Sequence, residues 1–294
     1  MDDVTEGFIE VTGGKVWYRI TGKGPGIPLL LLHGGPGSKS SNNDPLRQLG
    51  TDRPVIQYDQ LGSGKSDRPT DKGLWAVERF VEELEQVIKA LKLEEVHLLG
   101  HSWGTMLAAS YLFKKPKGVR SVIFSGPALD AQRWERDQRN YLKQFPEDIQ
   151  ETIRRSEREV TTASADYDKA MMSFYKRHMC RVDPWPEELL KDMEEMNHQV
   201  YNYMWGASEF TVTGTLKYFD ATDRLSEIRI PALFSCGRFD EATPETTEHY
   251  ASLVPDAEFH VFENSSHMPG VEEPEAYVEM VREWVNRQEM RPGA

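Results

Sequence analysis

Short apolar runs alternate with amphipathic stretches over the first 127 residues. Residues 8–11 and 15–20 flank Gly13-Gly14 and read as a β-hairpin. The runs at 28–32, 54–58, 96–99 and 121–124 are compact and bounded by turn residues, as strands buried on both faces are. Between the second and third runs, Val77, Phe80, Val81, Leu84, Val87, Ile88 and Leu91 recur at helical spacing. The rhythm breaks after Pro127. From Asp130 to Asp223 the chain reads as helices with charged faces, Leu189, Leu190, Met193, Met196 and Val200 tracing one apolar stripe, and no strand is expected there. It resumes with a strand at 231–236, a helix after Pro244, a strand at 258–262 and a closing helix from Pro274 with Tyr277, Val278, Val281, Trp284 and Val285 facing inward. The pattern predicts an α/β core, a mostly parallel sheet covered by helices on both faces, formed by residues 1–127 and 224–294. An all-helical cap, 128–223, interrupts it. Residues 291–294 are expected to fray.

Composition narrows the function. The 294 residues carry 35 Lys+Arg against 48 Asp+Glu, a net charge of -13 with no basic cluster, which argues against nucleic acid and anionic membranes as partners. The longest aliphatic run, Leu29 to Leu32, is far too short to span a bilayer, and the first six residues lack the basic and apolar regions of a secretion signal. Of two cysteines, Cys180 and Cys236, neither belongs to a C-x-x-C pair. Cys236 lies in an apolar strand pattern and reads as a buried thiol. A cytoplasmic protein needing no metal or cofactor is expected.

The candidate chemistry starts at Gly100-His101-Ser102-Trp103-Gly104, a G-x-S-x-G motif between a strand and a helical pattern. That context makes it a nucleophile elbow, with Ser102 at the tip of a strained turn. The alternative is a glycine-rich turn carrying an inert serine. A serine hydroxyl needs a base, and the base needs orienting. In chains with this elbow the order is Ser, then Asp or Glu, then His. Asp240, just past the strand at 231–236, and His267, in the loop after the strand at 258–262, satisfy that order at strand C-terminal ends. Of the other histidines, His97 and His260 fall in strands, His178, His198 and His249 in helical stretches, and His101 is expected to be turned away by the elbow. His33-Gly34-Gly35-Pro36-Gly37 follows an apolar strand; the N–H groups of Gly35 and Trp103 are the candidate oxyanion donors, and His33 reads as a structural hydrogen-bonder. The turn Asp59-Gln60-Leu61-Gly62-Ser63-Gly64-Lys65-Ser66 lacks Walker spacing and reads as structural support. These residues leave the substrate open among peptides, amino-acid amides and small esters or lactones. A catalytically inactive binding protein is the rival from another class; a serine in the elbow disfavours aspartate-nucleophile chemistry.

Together the His33–Gly37 motif, the elbow, the Asp59 turn, Phe239-Asp240-Glu241-Ala242-Thr243-Pro244 and Ser266-His267-Met268-Pro269 resemble the proline iminopeptidase (prolyl aminopeptidase) family over nearly the whole chain. The resemblance implies an α/β-hydrolase fold with a helical cap, metal-independent release of an N-terminal residue, often proline, from short peptides, and Ser102, Asp240 and His267 as the triad. It also implies that Glu209 and Glu241 hold the substrate's free α-amino group. His101 stands where many members carry Gly or Gln, and Thr105 replaces a glycine often seen after the elbow. Tyr201, Tyr203 and Trp205 could line an apolar side-chain pocket or pack within the cap.

Overall fold

The structure is a computed structural model that describes residues 3–291. Its strands are β1 Val4–Val11, β2 Gly14–Thr21, β3 Leu29–Leu32, β4 Val55–Tyr58, β5 Val96–His101, β6 Val119–Ser125, β7 Gly206–Ser208, β8 Thr211–Val212, β9 Ala232–Gly237 and β10 Ala257–Phe262. Its helices are α1 Val77–Ala90, α2 Trp103–Leu112, α3 Ala131–Leu142, α4 Glu147–Arg158, α5 Ala165–His178, α6 Glu187–Glu195, α7 His198–Met204, α8 Pro244–Ser252, α9 Pro269–Glu272 and α10 Pro274–Glu289. Apart from β7 and β8, the strands form one sheet in the order β1-β2-β4-β3-β5-β6-β9-β10. From β4 to β10 every pairing is parallel; β1 and β2 add an antiparallel hairpin at one edge.

The central strands β3, β4 and β5 are buried at every residue because both faces are covered. Leu30, Leu32, Ile56 and Leu98 pack with Phe80 and Leu84 of α1 and with Met106 and Leu107 of α2. Leu29, Leu31, Val55, Leu99 and Ile123 face the other way, against Tyr277, Val281, Trp284 and Val285 of α10. Neighbouring residues of one strand thus feed two separate cores, which is the period-two geometry of a strand. The expectation that 291–294 fray lies, beyond Arg291, outside the described residues.

Two expectations for the inserted segment need correction. It is not all helical: β7 and β8 form a small antiparallel pair, Gly206 opposite Val212 and Ser208 opposite Thr211, with Glu209-Phe210 as the connecting turn. Strands of three and two residues are too short to leave a period-two signature. The apolar stripe from Leu189 to Val200 is also split. α6 ends at Glu195, Asn197 caps α7 by accepting from Gln199 N–H, and Leu190 faces solvent at 45% exposure. Helical spacing alone cannot see a cap residue in mid-stripe. Among the described residues, no helix is long and apolar enough to cross a membrane.

Candidate active site

Ser102 joins β5 to α2 with φ 54 and ψ -121, a conformation that L side chains rarely adopt. Its neighbours make that turn possible by being small. A Cβ on Gly104 would lie 2.1 Å from the Leu32 carbonyl oxygen, and one on Gly100 would lie 2.4 Å from the Gly104 carbonyl oxygen. The elbow is therefore wedged between β3 and its own helix. Ser102 N–H donates to Ser125 O at 3.0 Å, and Thr105 donates to Ser102 O from both its N–H (2.8 Å) and its hydroxyl (2.6 Å). The same Thr105 hydroxyl accepts from Ala128 N–H at 3.0 Å, tying the elbow to the start of the insertion.

His267 lies beyond β10 and donates Nδ1–H to Asp240 Oδ1 at 2.7 Å. Asp240, fully buried, also accepts from the N–H groups of Ala242 (2.8 Å) and Gly237 (3.0 Å). Because an ionised carboxylate only accepts, the Nδ1 proton is fixed and the Nε2 lone pair is left to the cavity. Burial works against the imidazolium, but the Asp240 charge and hydrogen bond, with help from Glu209, raise His267 above the ordinary 6.5.

The ring of His267 sits between two others, with His101 at 4.7 Å and Trp134 at 5.7 Å between centroids. His101 is not turned away from the site, contrary to expectation. Its Nε2 pairs with the His267 carbonyl at 2.9 Å, since the sharp turn begins only at Ser102 and leaves the last side chain of β5 facing the His267 loop. Burial and the neighbouring His267 lower its pKa to about 4, so it is a neutral prop. Gly126 completes the seat: a Cβ there would lie 2.7 Å from His267 Cε1, and its φ of 56 is left-handed.

The loop carrying Gly35 is braced from the Asp59 turn. His33 Nε2 accepts from Gln60 N–H at 2.9 Å, so its Nδ1 donates to Gly34 O at 2.8 Å. The Gln60 side chain then donates to His33 O (3.1 Å) and accepts from the Trp103 indole N–H (2.8 Å). One glutamine thereby holds the Gly35 loop against the residue after Ser102. Asp59 itself accepts from Ser40 N–H, Ser40 hydroxyl and Lys65 N–H, the work of a structural turn.

A cavity of about 130 Å³ is lined by Gly35, Ser102, His267, Glu209 and Glu241. A smaller recess beside it is lined by Ser102, Gly35, Trp103, Trp134, Trp205 and Glu209. The structure thus gathers all the sequence-predicted residues at one place, Asp240 through its bond to His267. Glu209 hangs on the β7–β8 turn, and Tyr201 donates its hydroxyl to the Glu209 carboxylate. The turn is anchored from beneath. Buried Tyr167 of α5 bonds Ser208 Oγ (2.8 Å) and Thr211 Oγ1 (2.9 Å), Thr211 reaches Glu157 of α4 at 2.5 Å, and Arg139 of α3 clamps Glu157 with two bonds (2.9 and 2.7 Å). Glu241, 2% exposed, has a carboxylate oxygen buried without a partner. Burial, with the charge of Glu209 and then Asp240, drives its pKa well above the carboxylate range. Burial also raises Glu209, against the opposing pull of Tyr201 and His267.

Sequence reasoning missed Gly126, Tyr201 as the partner of Glu209, and the Tyr167–Glu157–Arg139 support. A glycine beside Pro127 was the one visible signal, and nothing local distinguished it from any other turn.

This sheet and its helices define an α/β hydrolase, and the profile of the alpha/beta hydrolase fold family matches residues 27–274. The chain is 55% identical to the proline iminopeptidase of Heyndrickxia coagulans, covering 96% of this chain and 99% of that protein. The crystal structure of VinJ superposes with a TM-score of 0.93 at 34% identity, covering 97% and 99% of the two chains. That of the Mycobacterium smegmatis proline iminopeptidase gives 0.89 at 32% identity, covering 97% and 98%. The chain belongs to the proline iminopeptidase family.

Proposed function

We propose that this protein is a serine aminopeptidase that releases N-terminal proline from short peptides through an acyl-enzyme, with Ser102, His267 and Asp240 as its triad. His267 Nε2 takes the Ser102 proton as the serine oxygen attacks the carbonyl carbon. Asp240 holds the imidazole in the required tautomer and stabilises the imidazolium. The N–H groups of Gly35 and Trp103 hold the oxyanion of the tetrahedral intermediate. His267 gives its proton to the departing amine, and water, activated by the same imidazole, then frees the acyl group from Ser102. Residues 128–223 act as the cap that completes the substrate site.

The observation that carries the reading is the pair Glu209 and Glu241 in the cavity of Ser102 and His267, one of their oxygens buried and unpartnered. Two buried carboxylates next to a nucleophile are costly unless a cation joins them. The protonated α-amine of a peptide is such a cation, and holding it sets the first carbonyl in place for attack. An ester or lactone hydrolase has no use for that charge. Free, buried Cys180 and Cys236 accord with a cytoplasmic enzyme.

The test compares kcat/KM for prolyl-, alanyl- and leucyl-naphthylamide, N-acetylprolyl-naphthylamide and p-nitrophenyl acetate. Preference for the free prolyl substrate, lost on acetylation, is expected. Fast turnover confined to the acetate would move the protein to the esterases.

A further inference from the structure

Two consecutive glutamates just ahead of α10 hold the loop that carries His267. Glu273 takes its first half, accepting from Asn264 N–H (3.1 Å), the Asn264 side-chain amide (3.2 Å) and the Ser265 hydroxyl (2.5 Å). Glu272, the last residue of α9, takes the two chain neighbours of the base. It accepts from Ser266 N–H at 2.8 Å, from the Ser266 hydroxyl at 2.9 Å and from Met268 N–H at 3.3 Å. A fourth bond comes from Arg181 N–H, in the segment after α5, at 2.9 Å. Between these neighbours His267 gives its own N–H to His178 O at 3.1 Å and receives His101 at its carbonyl. Each backbone N–H from Ser266 to Met268 is therefore engaged, and two of the three end on one carboxylate.

The chemistry of that carboxylate suits the task. Its backbone partners all arrive as donors, and an ionised carboxylate accepts through both oxygens without donating. Burial raises Glu272, and the bonds from Arg181, Ser266 and Met268 pull it back toward the charged form. Glu272 is not among the described residues that line the cavity or the recess, so it acts on the loop and not on a substrate. A general base must lie within hydrogen-bond reach of the proton it takes. Drift of the 266–268 backbone would swing the imidazole out of that reach even with the Asp240 bond intact. Of the charged groups around His267, Asp240, Glu209 and Glu272 all favour the imidazolium, whereas His101, lowered to about 4, is neutral.

Resting on the triad reading, we propose that Glu272 is a positioning residue for the reaction: its carboxylate fixes the backbone on both sides of His267 and so sets the reach of Nε2 to Ser102.

The test compares Glu272→Ala, Glu272→Gln and Glu273→Ala by kcat and KM on prolyl-naphthylamide and p-nitrophenyl acetate, by the pH profile of kcat/KM, and by thermal melts that count folded protein. Glu272→Ala should lower kcat by about tenfold or more on both substrates, with KM within about twofold, as a misplaced base requires. A glutamine can keep its carbonyl oxygen on the Ser266 and Met268 N–H groups, so Glu272→Gln should recover most of that kcat at alkaline pH. Having lost the charge, it should still move the acid-limb midpoint down. Glu273→Ala, which frees only residues 264–265, should lower the melting temperature and leave kcat and the midpoint in place. Unaltered kcat in Glu272→Ala, a glutamine variant as slow as the alanine one, or an equal loss of kcat in Glu273→Ala would overturn the proposal, while turnover by the unaltered protein leaves the triad reading standing. If Glu272→Ala does not fold, the glutamine variant decides, and an unmoved midpoint overturns the proposal. No turnover of either substrate by the unaltered protein would overturn both.

Discussion

The sheet and the insertion solve different problems with different chemistry. Around Ser102 the sheet works by exclusion: Gly104, Gly100 and Gly126 are small because a Cβ would collide with backbone or with His267. The insertion works by polar bracing, suspending Glu209 on a short turn that Tyr167, Glu157 and Arg139 hold from three helices. Under the proposed mechanism, the first arrangement fixes a nucleophile that any carbonyl substrate could use. The second positions a charge that only some substrates can exploit. Changes in the sheet should therefore injure all substrates alike, and changes in the insertion should discriminate among them.

The largest effect belongs to the sheet. Ser102→Ala should lower kcat by about 10⁴-fold or more on peptide and ester substrates alike. Ser102→Gly should be equally inactive yet more stable by about 1 kcal/mol, because the residue at φ 54 is released from strain. Thermal unfolding with a fluorophosphonate labelling assay reads both; a labelled Ser102→Ala protein would remove Ser102 as nucleophile.

Gly126→Ala should come next, at about 10²-fold in kcat/KM, since the new methyl displaces His267. Parallel losses on prolyl-naphthylamide and p-nitrophenyl acetate are expected; a loss limited to one would break the contrast drawn here. Glu209→Gln should cost about 10- to 100-fold on free-amine substrates, the worth of a charge-assisted hydrogen bond, and little on the acetate.

Smaller effects appear in pH dependence. The acid limb of kcat/KM requires neutral His267, whose pKa stands above 6.5, so activity should climb through a midpoint above that value. Glu209 is one of the charges that raise it, and Glu209→Gln should shift the midpoint down. Stability gives the last and smallest contrast. Glu241 has a folded-state pKa well above its unfolded value, so stability is full below the unfolded pKa and declines as pH rises through the folded one. Glu241→Gln should remove that decline in denaturant titrations from pH 5 to 9, and an unchanged profile would show that substrate-free Glu241 is not the strained group described here.

Much of the sheet was legible because its signals are local. Four consecutive buried leucines in β3, the helical spacing of α1 and the elbow between β5 and α2 all sit within a few residues of one another. The chain order of Ser, Asp and His, a long-range signal, pointed to Asp240 and His267, which the structure joins by a hydrogen bond. The insertion resisted for a physical reason: what matters there joins positions far apart in sequence, as Tyr167 joins Ser208 and Thr211. The placement of His101 was misjudged because the direction of one side chain at an elbow depends on what packs above it, here the carbonyl of a residue 166 positions later.

The route into the insertion carries a constraint on engineering. The chain leaves β6 through Gly126, whose N–H donates to Ser235 O at 2.8 Å, and two residues later Ala128 N–H is bound to the Thr105 hydroxyl. A recombinant chimera that exchanges lids between relatives must therefore be spliced downstream of Ala128. A splice any earlier would transplant part of the catalytic floor together with its roof.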